Sequence, residues 1–132
     1  MNTFLPVSEL LQSYLEALTA KDIDSIENLF GNHCLLEIPF IKPNRLVGKA
    51  EIVEAHREIF GNLTIIEFKP SHIHNTEIHA IAEGELAFTR DGDAKQSIQA
   101  AIVAEVDRDR SQRISLYCDA RNIRPWSDKT IL

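Results

Sequence analysis

The chain has 132 residues, 44% hydrophobic and 26% charged, the balance of a single globular domain with its own core rather than a disordered segment. Acidic residues outnumber basic ones 20 to 14 and the formal net charge is -6, which argues against nucleic acid or anionic membrane as a partner, since both demand clustered Lys and Arg. No window approaches the roughly 18 apolar residues of a membrane span, and "MNTFLPVSELLQSYLEAL" lacks the basic start, continuous apolar run and cleavage site of a signal peptide.

A first helix is expected from about Pro6 to Ala20. Val7, Leu10, Leu11, Tyr14, Leu15 and Leu18 recur at three and four, one buried face, and Pro6 suits a first turn that needs no N–H. Asp22 is a good N-cap for a short second helix that buries Ile23, Ile26, Leu29 and Phe30 before Gly31 and Asn32 end it. "HCLLEIPF" reads as a short strand and "KPNRLVGK" as a loop of turn residues. From Lys49 to Phe60, Ile52, Val53, His56, Ile59 and Phe60 form a third helical face, closed by Gly61 and Asn62.

Everything afterwards is β in character, with strands expected near 64–74, 77–89, 96–107 and 113–123. Turns fall at Asn75 and Thr76, at Asp91 to Asp93, and at Asp109 to Ser111. Arg108, Arg110 and Arg113, the only basic concentration, are interrupted by Asp107 and Asp109 and read as a solvated turn. The element order predicts one α+β domain over residues 1–132, with helices on one face of a mostly antiparallel, strongly curved sheet. The leftover volume between the two layers is the expected pocket. Cys34 and Cys118 lie in separate apolar runs and read as buried thiols in a reducing cytoplasm.

Three groups of residues could carry chemistry. In "SLYCDAR", Ser115, Tyr117, Asp119 and Arg121 share one face of a strand and Leu116, Cys118 and Ala120 the other. Arg121 could hold the Asp119 carboxylate ionised with an oxygen free for a substrate proton; equally, the pair could be an exposed ion pair with Leu116, Cys118 and Ala120 facing the core. Tyr14 and His56, one on each of two covering helices, could bind a ligand carbonyl or a developing oxyanion, or form a core hydrogen bond; both alternatives predict contact between them.

In "HIHNTEIH", a two-residue turn at Asn75 and Thr76 would set His74 opposite Glu77 and His72 opposite His79. These are plausible metal ligands in type, yet Ile73 and Ile78 between them make a polar solvent side the simpler expectation. Neither a metal nor a cofactor is therefore expected. Glu37 should point away from the pocket, opposite Leu36 and Ile38. Phe30, Ile38, Phe40, Leu86, Phe88, Ile98 and Ile102 are the expected apolar lining, thinned by Ala80, Ala82, Gly84 and Ala100. The later strands are apolar on both faces, Ala101 and Val103 lying opposite Ile102, which predicts a homodimer through the outer sheet face.

This order of elements, with "SYLEALTAKDIDSIENLF", "LLEIPF", "LVGKAEIVEAH" and "RISLYCDARNI", resembles the nuclear transport factor 2-like superfamily in its SnoaL-like branch. The resemblance implies a cone-shaped domain with three N-terminal helices and a small-molecule pocket. Ketosteroid isomerases share that fold: their oxyanion tyrosine is matched by Tyr14, and the second tyrosine bonded to it is replaced by His56. Their two carboxylates correspond to Ile38 and Ile102, so a steroid isomerase mechanism has no base here. By similarity to limonene epoxide hydrolase-like and SnoaL-like sequences, the closing strand turns Tyr117, Asp119 and Arg121 inward. The hydrolase's remaining arginine and aspartate are not reproduced on the face of Ile98, Ala100 and Ile102. The implied function is isomerase, cyclase or hydrolase chemistry on an apolar or aromatic carbonyl ligand, with Asp119 as base and Tyr14 and His56 as donors. The alternative is a non-catalytic binding or assembly module of the same fold.

Overall fold

The structure is a computed structural model and describes residues 6–39, 44–90, 92–107 and 111–118. Its elements are α1 (Val7–Ala20), α2 (Ile23–Leu29), β1 (Cys34–Glu37), β2 (Arg45–Val47), α3 (Lys49–Asn62), β3 (Leu63–Asn75), β4 (His79–Arg90), β5 (Gln96–Val106) and β6 (Gln112–Tyr117). The helices are thus interspersed with strands: α3 follows β1 and β2 instead of joining an N-terminal helical trio.

The α1 stripe buries Val7, Leu10, Leu11, Tyr14, Ala17 and Leu18. Lys21 ends the helix in the left-handed region at φ 53°, and its Nζ donates to the Leu63 carbonyl at 2.6 Å, tying the end of α1 to the start of β3. Asp22 caps α2 by accepting from the Ser25 amide, as its residue type requires. Gly48 turns the chain into α3 at φ 90°, a conformation that suits a residue without Cβ. Gly61 and Asn62 lie within the last turn of α3, which runs two residues past the expected end at Phe60.

The sheet order is β2-β1-β6-β5-β4-β3. Among the described residues only β1 and β6 pair in parallel; the other neighbours are antiparallel, so the sheet is mixed. β2 corrects the expected loop: three residues pair with β1 through Leu35↔Val47, Leu36↔Leu46 and Glu37↔Arg45. β3 is the opposite edge, which is why it tolerates Pro70; the register shifts between Pro70 and His72, where the ladder loses an N–H donor. Gly84 sits opposite Pro70.

One face of the sheet carries Leu36, Ile38, Ile66, Phe68, Ala80, Ala82, Leu86, Phe88, Ile102, Ala104 and Ile114, all buried. α1 crosses this face over β3, β4 and β5, while α3 packs against β1, β2 and β3. Gln112 locks β6 to the end of α2: its Oε1 accepts from the Gly31 amide at 2.6 Å and its Nε2 donates to the Leu29 carbonyl at 3.0 Å. Among the described residues, no helix is long and apolar enough to cross a membrane. Cys34 and Cys118 are buried and not joined in a disulfide, as expected.

Candidate functional site

Tyr14 lies midway along α1 with Leu10 and Leu18 one turn to either side, and His56 lies midway along α3 above Ile52 and before Ile59 and Phe60. Helical periodicity aims both stripes at the sheet, so the two polar tips meet between the layers. The Tyr14 hydroxyl and His56 Nε2 are 2.9 Å apart, and both residues are 0% exposed. His56 Nδ1 is 2.7 Å from the Ile52 carbonyl one turn back. A carbonyl can only accept, so Nδ1 carries a proton; in the neutral ring Nε2 is then an acceptor, and Tyr14 donates to it.

Aromatic neighbours hold the pair. Tyr14 and His56 meet edge to face at 5.5 Å and 89°, Phe30 braces Tyr14 at 6.4 Å and Phe60 braces His56 at 5.9 Å. Burial pushes the Tyr14 phenol far above its ordinary range, and the Cys118 sulfur adds to that shift. Tyr14 is therefore a neutral phenol at physiological pH.

The described residues around the adjoining cavity are Tyr14, Leu18, Ile38, Ile59, Ile66, Leu86, Ala100, Ile102, Leu116 and Cys118, and its volume is about 30 Å³. That holds a molecule of water size, well below the several hundred Å³ of typical ligand pockets. A larger, open groove of about 680 Å³ lies outside the core, between α1 and the far half of β3, with Leu11, Leu15, Phe68, Pro70 and Ile73 among its walls. It contains neither Tyr14 nor His56.

The expected lining is partly assembled. Ile38, Leu86 and Ile102 line the cavity. Phe30 and Phe88 are buried in the core without reaching it, and Ile98 packs half-buried at the core's edge. Phe40, Asp119 and Arg121 lie outside the described residues. Leu18, Ile59 and Ile66 were not anticipated as lining, although Leu18 is four residues after Tyr14 and Ile59 three after His56, the spacing that places them beside the pair.

Tyr117 is a correction. It pairs with Ala101 in register and is 43% exposed, so it stands on the outer face, while its neighbours Leu116 and Cys118 line the cavity. The strand's own alternation allowed this face assignment; the family resemblance had turned it around. Glu37 is also on the outer face, as expected, where it pairs with Arg45 at 3.3 Å and Arg113 at 3.5 Å. Arg113 thus belongs to a strand and an ion-pair ladder rather than to a solvated turn.

The histidine hairpin differs as well. The amide of Thr76 donates to the His79 carbonyl at 2.7 Å, and Asn75 pairs with Ala80, so the turn is longer than two residues. The register then sets His74 opposite Ile81 and His72 opposite Glu83, not opposite Glu77 and His79. His79 instead meets Glu105 at 3.1 Å. Among the described residues no group of three or more His, Cys, Asp or Glu could hold a metal ion.

Comparison with known proteins supplies the fold's relatives. The model of the SnoaL-like domain family matches residues 11–116. A candidate SnoaL-like polyketide cyclase from Shewanella denitrificans superposes with a TM-score of 0.73 at 12% identity, covering 89% of this chain and 93% of that one. A limonene epoxide hydrolase-like epoxide hydrolase from Mycobacterium tuberculosis superposes at 0.70 with 20% identity, covering 89% and 85%. A protein of ketosteroid isomerase-like fold from Catenulispora acidiphila, in complex with trimethylamine, gives 0.70 at 12% identity, covering 83% and 84%. At such identities these structures share the fold alone. Among curated proteins, none matches the sequence.

Proposed function

We propose that this chain, which belongs to the SnoaL-like domain family, is a small-molecule pocket protein that holds an apolar or aromatic ligand over Tyr14. The carrying observation is that Tyr14, whose hydroxyl is bonded to His56, lines a cavity whose other described walls are apolar apart from the Cys118 thiol. Such a site binds by burial and orients by one polar contact. Covering ~150 Å² of apolar ligand surface is worth roughly 4 kcal/mol, against about 1 kcal/mol for one hydrogen bond, before the cost of association. A ring-sized ligand is admitted when apolar walls such as Leu86 and Leu116 rotate outward, within the cone that the family's curved sheet provides.

Acid–base catalysis of the isomerase, cyclase or hydrolase kind is the second reading, with Asp119 as base and Arg121 as its electrostatic partner. It is favoured by Cys118, the residue before Asp119, lying on the cavity wall. Aromatic and terpenoid carbonyl compounds and alcohols, tested for binding and for product with wild type and Asp119→Asn, separate the two. Binding without product in either protein supports the pocket reading; turnover lost in Asp119→Asn with binding retained supports the enzyme. No binding by any compound contradicts both.

The outer sheet face is the proposed homodimer contact. Val47 and Tyr117 are exposed there, and Arg45, Glu37, Arg113, Glu105 and His79 form a ladder of alternating charge across five strands. A monomer at micromolar concentration by size exclusion with light scattering contradicts this contact. Two buried cysteines that form no disulfide fit work in a reducing cytoplasm.

A further inference from the structure

We infer that the open groove between α1 and the far half of β3 is a second binding site, selective for an apolar amine in its ammonium form. It is independent of the cavity over Tyr14. Ile73 marks the gap: it pairs in register with Ala82, which is fully buried on the helix side of the sheet, yet Ile73 itself is 55% exposed. α1 therefore leaves part of the face it covers open to solvent. The groove's volume of about 680 Å³ falls within the roughly 300–1,000 Å³ of typical ligand sites, which the inner cavity at about 30 Å³ does not.

The walls decide the ligand's chemistry. Leu11 and Leu15, four residues apart on α1, and Phe68, Pro70 and Ile73 on β3 give it apolar sides that take up a hydrocarbon body. Among the described lining residues Glu16 is the one charged side chain. Gln12 Nε2 donates to Glu16 Oε2 at 3.3 Å, which leaves Glu16 Oε1 and Gln12 Oε1 as acceptors. Two lysines on the same elements are engaged elsewhere, Lys21 Nζ with the Leu63 carbonyl at 2.6 Å and Lys69 with Glu67 at 3.7 Å. A primary ammonium brings three N–H donors and the charge that complements Glu16. A carboxylate or phosphate is repelled by Glu16 and by the net charge of -6, and a neutral alcohol has no charge to match.

Three probes with the same ring test this on the full chain at neutral pH: cyclohexylamine, cyclohexanol and cyclohexanecarboxylate, each titrated by methyl-selective NMR. Ile73 reports on the groove, and Ile38, Ile59, Ile66 and Ile102 report on the inner cavity. Cyclohexylammonium gives a saturable shift at Ile73, and the alcohol and the carboxylate give none there. Glu16→Gln, a change at an exposed position, weakens the amine roughly fivefold, the size of one exposed ion pair. Amine binding unchanged in Glu16→Gln, an alcohol or carboxylate that moves Ile73 as the amine does, or an amine that leaves Ile73 unmoved overturns the inference. Each of these outcomes leaves the pocket reading standing, because that reading fails only at the four inner reporters.

Discussion

Removing the Tyr14 hydroxyl tests the internal geometry most sharply. Tyr14→Phe keeps the ring and its edge-to-face contacts but deprives His56 Nε2 of the 2.9 Å bond in a fully buried residue. Losing a buried partner costs about 1–3 kcal/mol, whereas replacing both partners by apolar groups is nearly neutral. Tyr14→Phe should therefore destabilise by about 2 kcal/mol, a large part of a typical 5–15 kcal/mol stability. His56→Leu removes the other half, and the Ile52 carbonyl keeps its helical backbone bond. The double variant should lie closer to wild type than the summed single effects by at least about 1 kcal/mol. Urea denaturation followed by circular dichroism reads the cycle, with an unchanged slope showing that the denatured state is the same. Additivity within about 0.3 kcal/mol would refute a shared hydrogen bond.

Gly84 is placed by close approach: a Cβ there would lie 2.1 Å from the Lys69 carbonyl oxygen and 2.8 Å from Pro70 Cα. These are backbone atoms, so Gly84→Ala should cost about 3 kcal/mol or more in the same urea assay. Gly61→Ala, in a helical position with nothing within 4 Å of the added Cβ, should instead stabilise by about 0.5–1 kcal/mol. Tyr14 makes the alkaline limit predictable. Its folded phenol stays protonated above the ordinary value of 10.0 while the unfolded one ionises there, so stability falls as pH rises beyond 10.0; in Tyr117→Phe, tyrosinate absorbance should appear only together with loss of the circular dichroism signal. At the acid end, the Ser25 hydroxyl and then its amide hold the Asp22 carboxylate below its ordinary 3.8. The stability advantage of wild type over Asp22→Ala should therefore be full above that pH and shrink as pH falls below it, read from thermal melts.

The helices were legible because three-and-four spacing of Leu10, Tyr14 and Leu18, or of Ile52, His56 and Ile59, has one physical solution: a buried stripe. That spacing puts Tyr14 and His56 on the buried faces of two covering helices, and the resemblance to ketosteroid isomerases pairs them. Strands are less informative. Period-two alternation divides "SLYCDAR" into two faces without saying which is covered, and on a sheet apolar on both sides the resemblance chose the wrong one for Tyr117. β2 escaped notice because three residues, with Arg45 and Val47 exposed, carry no alternation to detect. The histidine register depended on a turn in which Thr76 bonds to His79, a side-chain and backbone choice that composition does not reveal. Asp119 and Arg121, the residues the acid–base reading needs, remain a proposal for experiment.

Methyl-selective NMR during titration with cyclohexanol or borneol addresses the central claim, that the cavity over Tyr14 is the ligand site. Ile38, Ile59, Ile66 and Ile102 provide isoleucine reporters on its wall, and Ile65, Ile73 and Ile78 provide exposed controls outside it. The account predicts saturable shifts at the first set, with Leu86 and Leu116 following and the controls unmoved. Shifts confined to Ile73 and the outer groove, or none at all up to the solubility limit of the compounds, would contradict it.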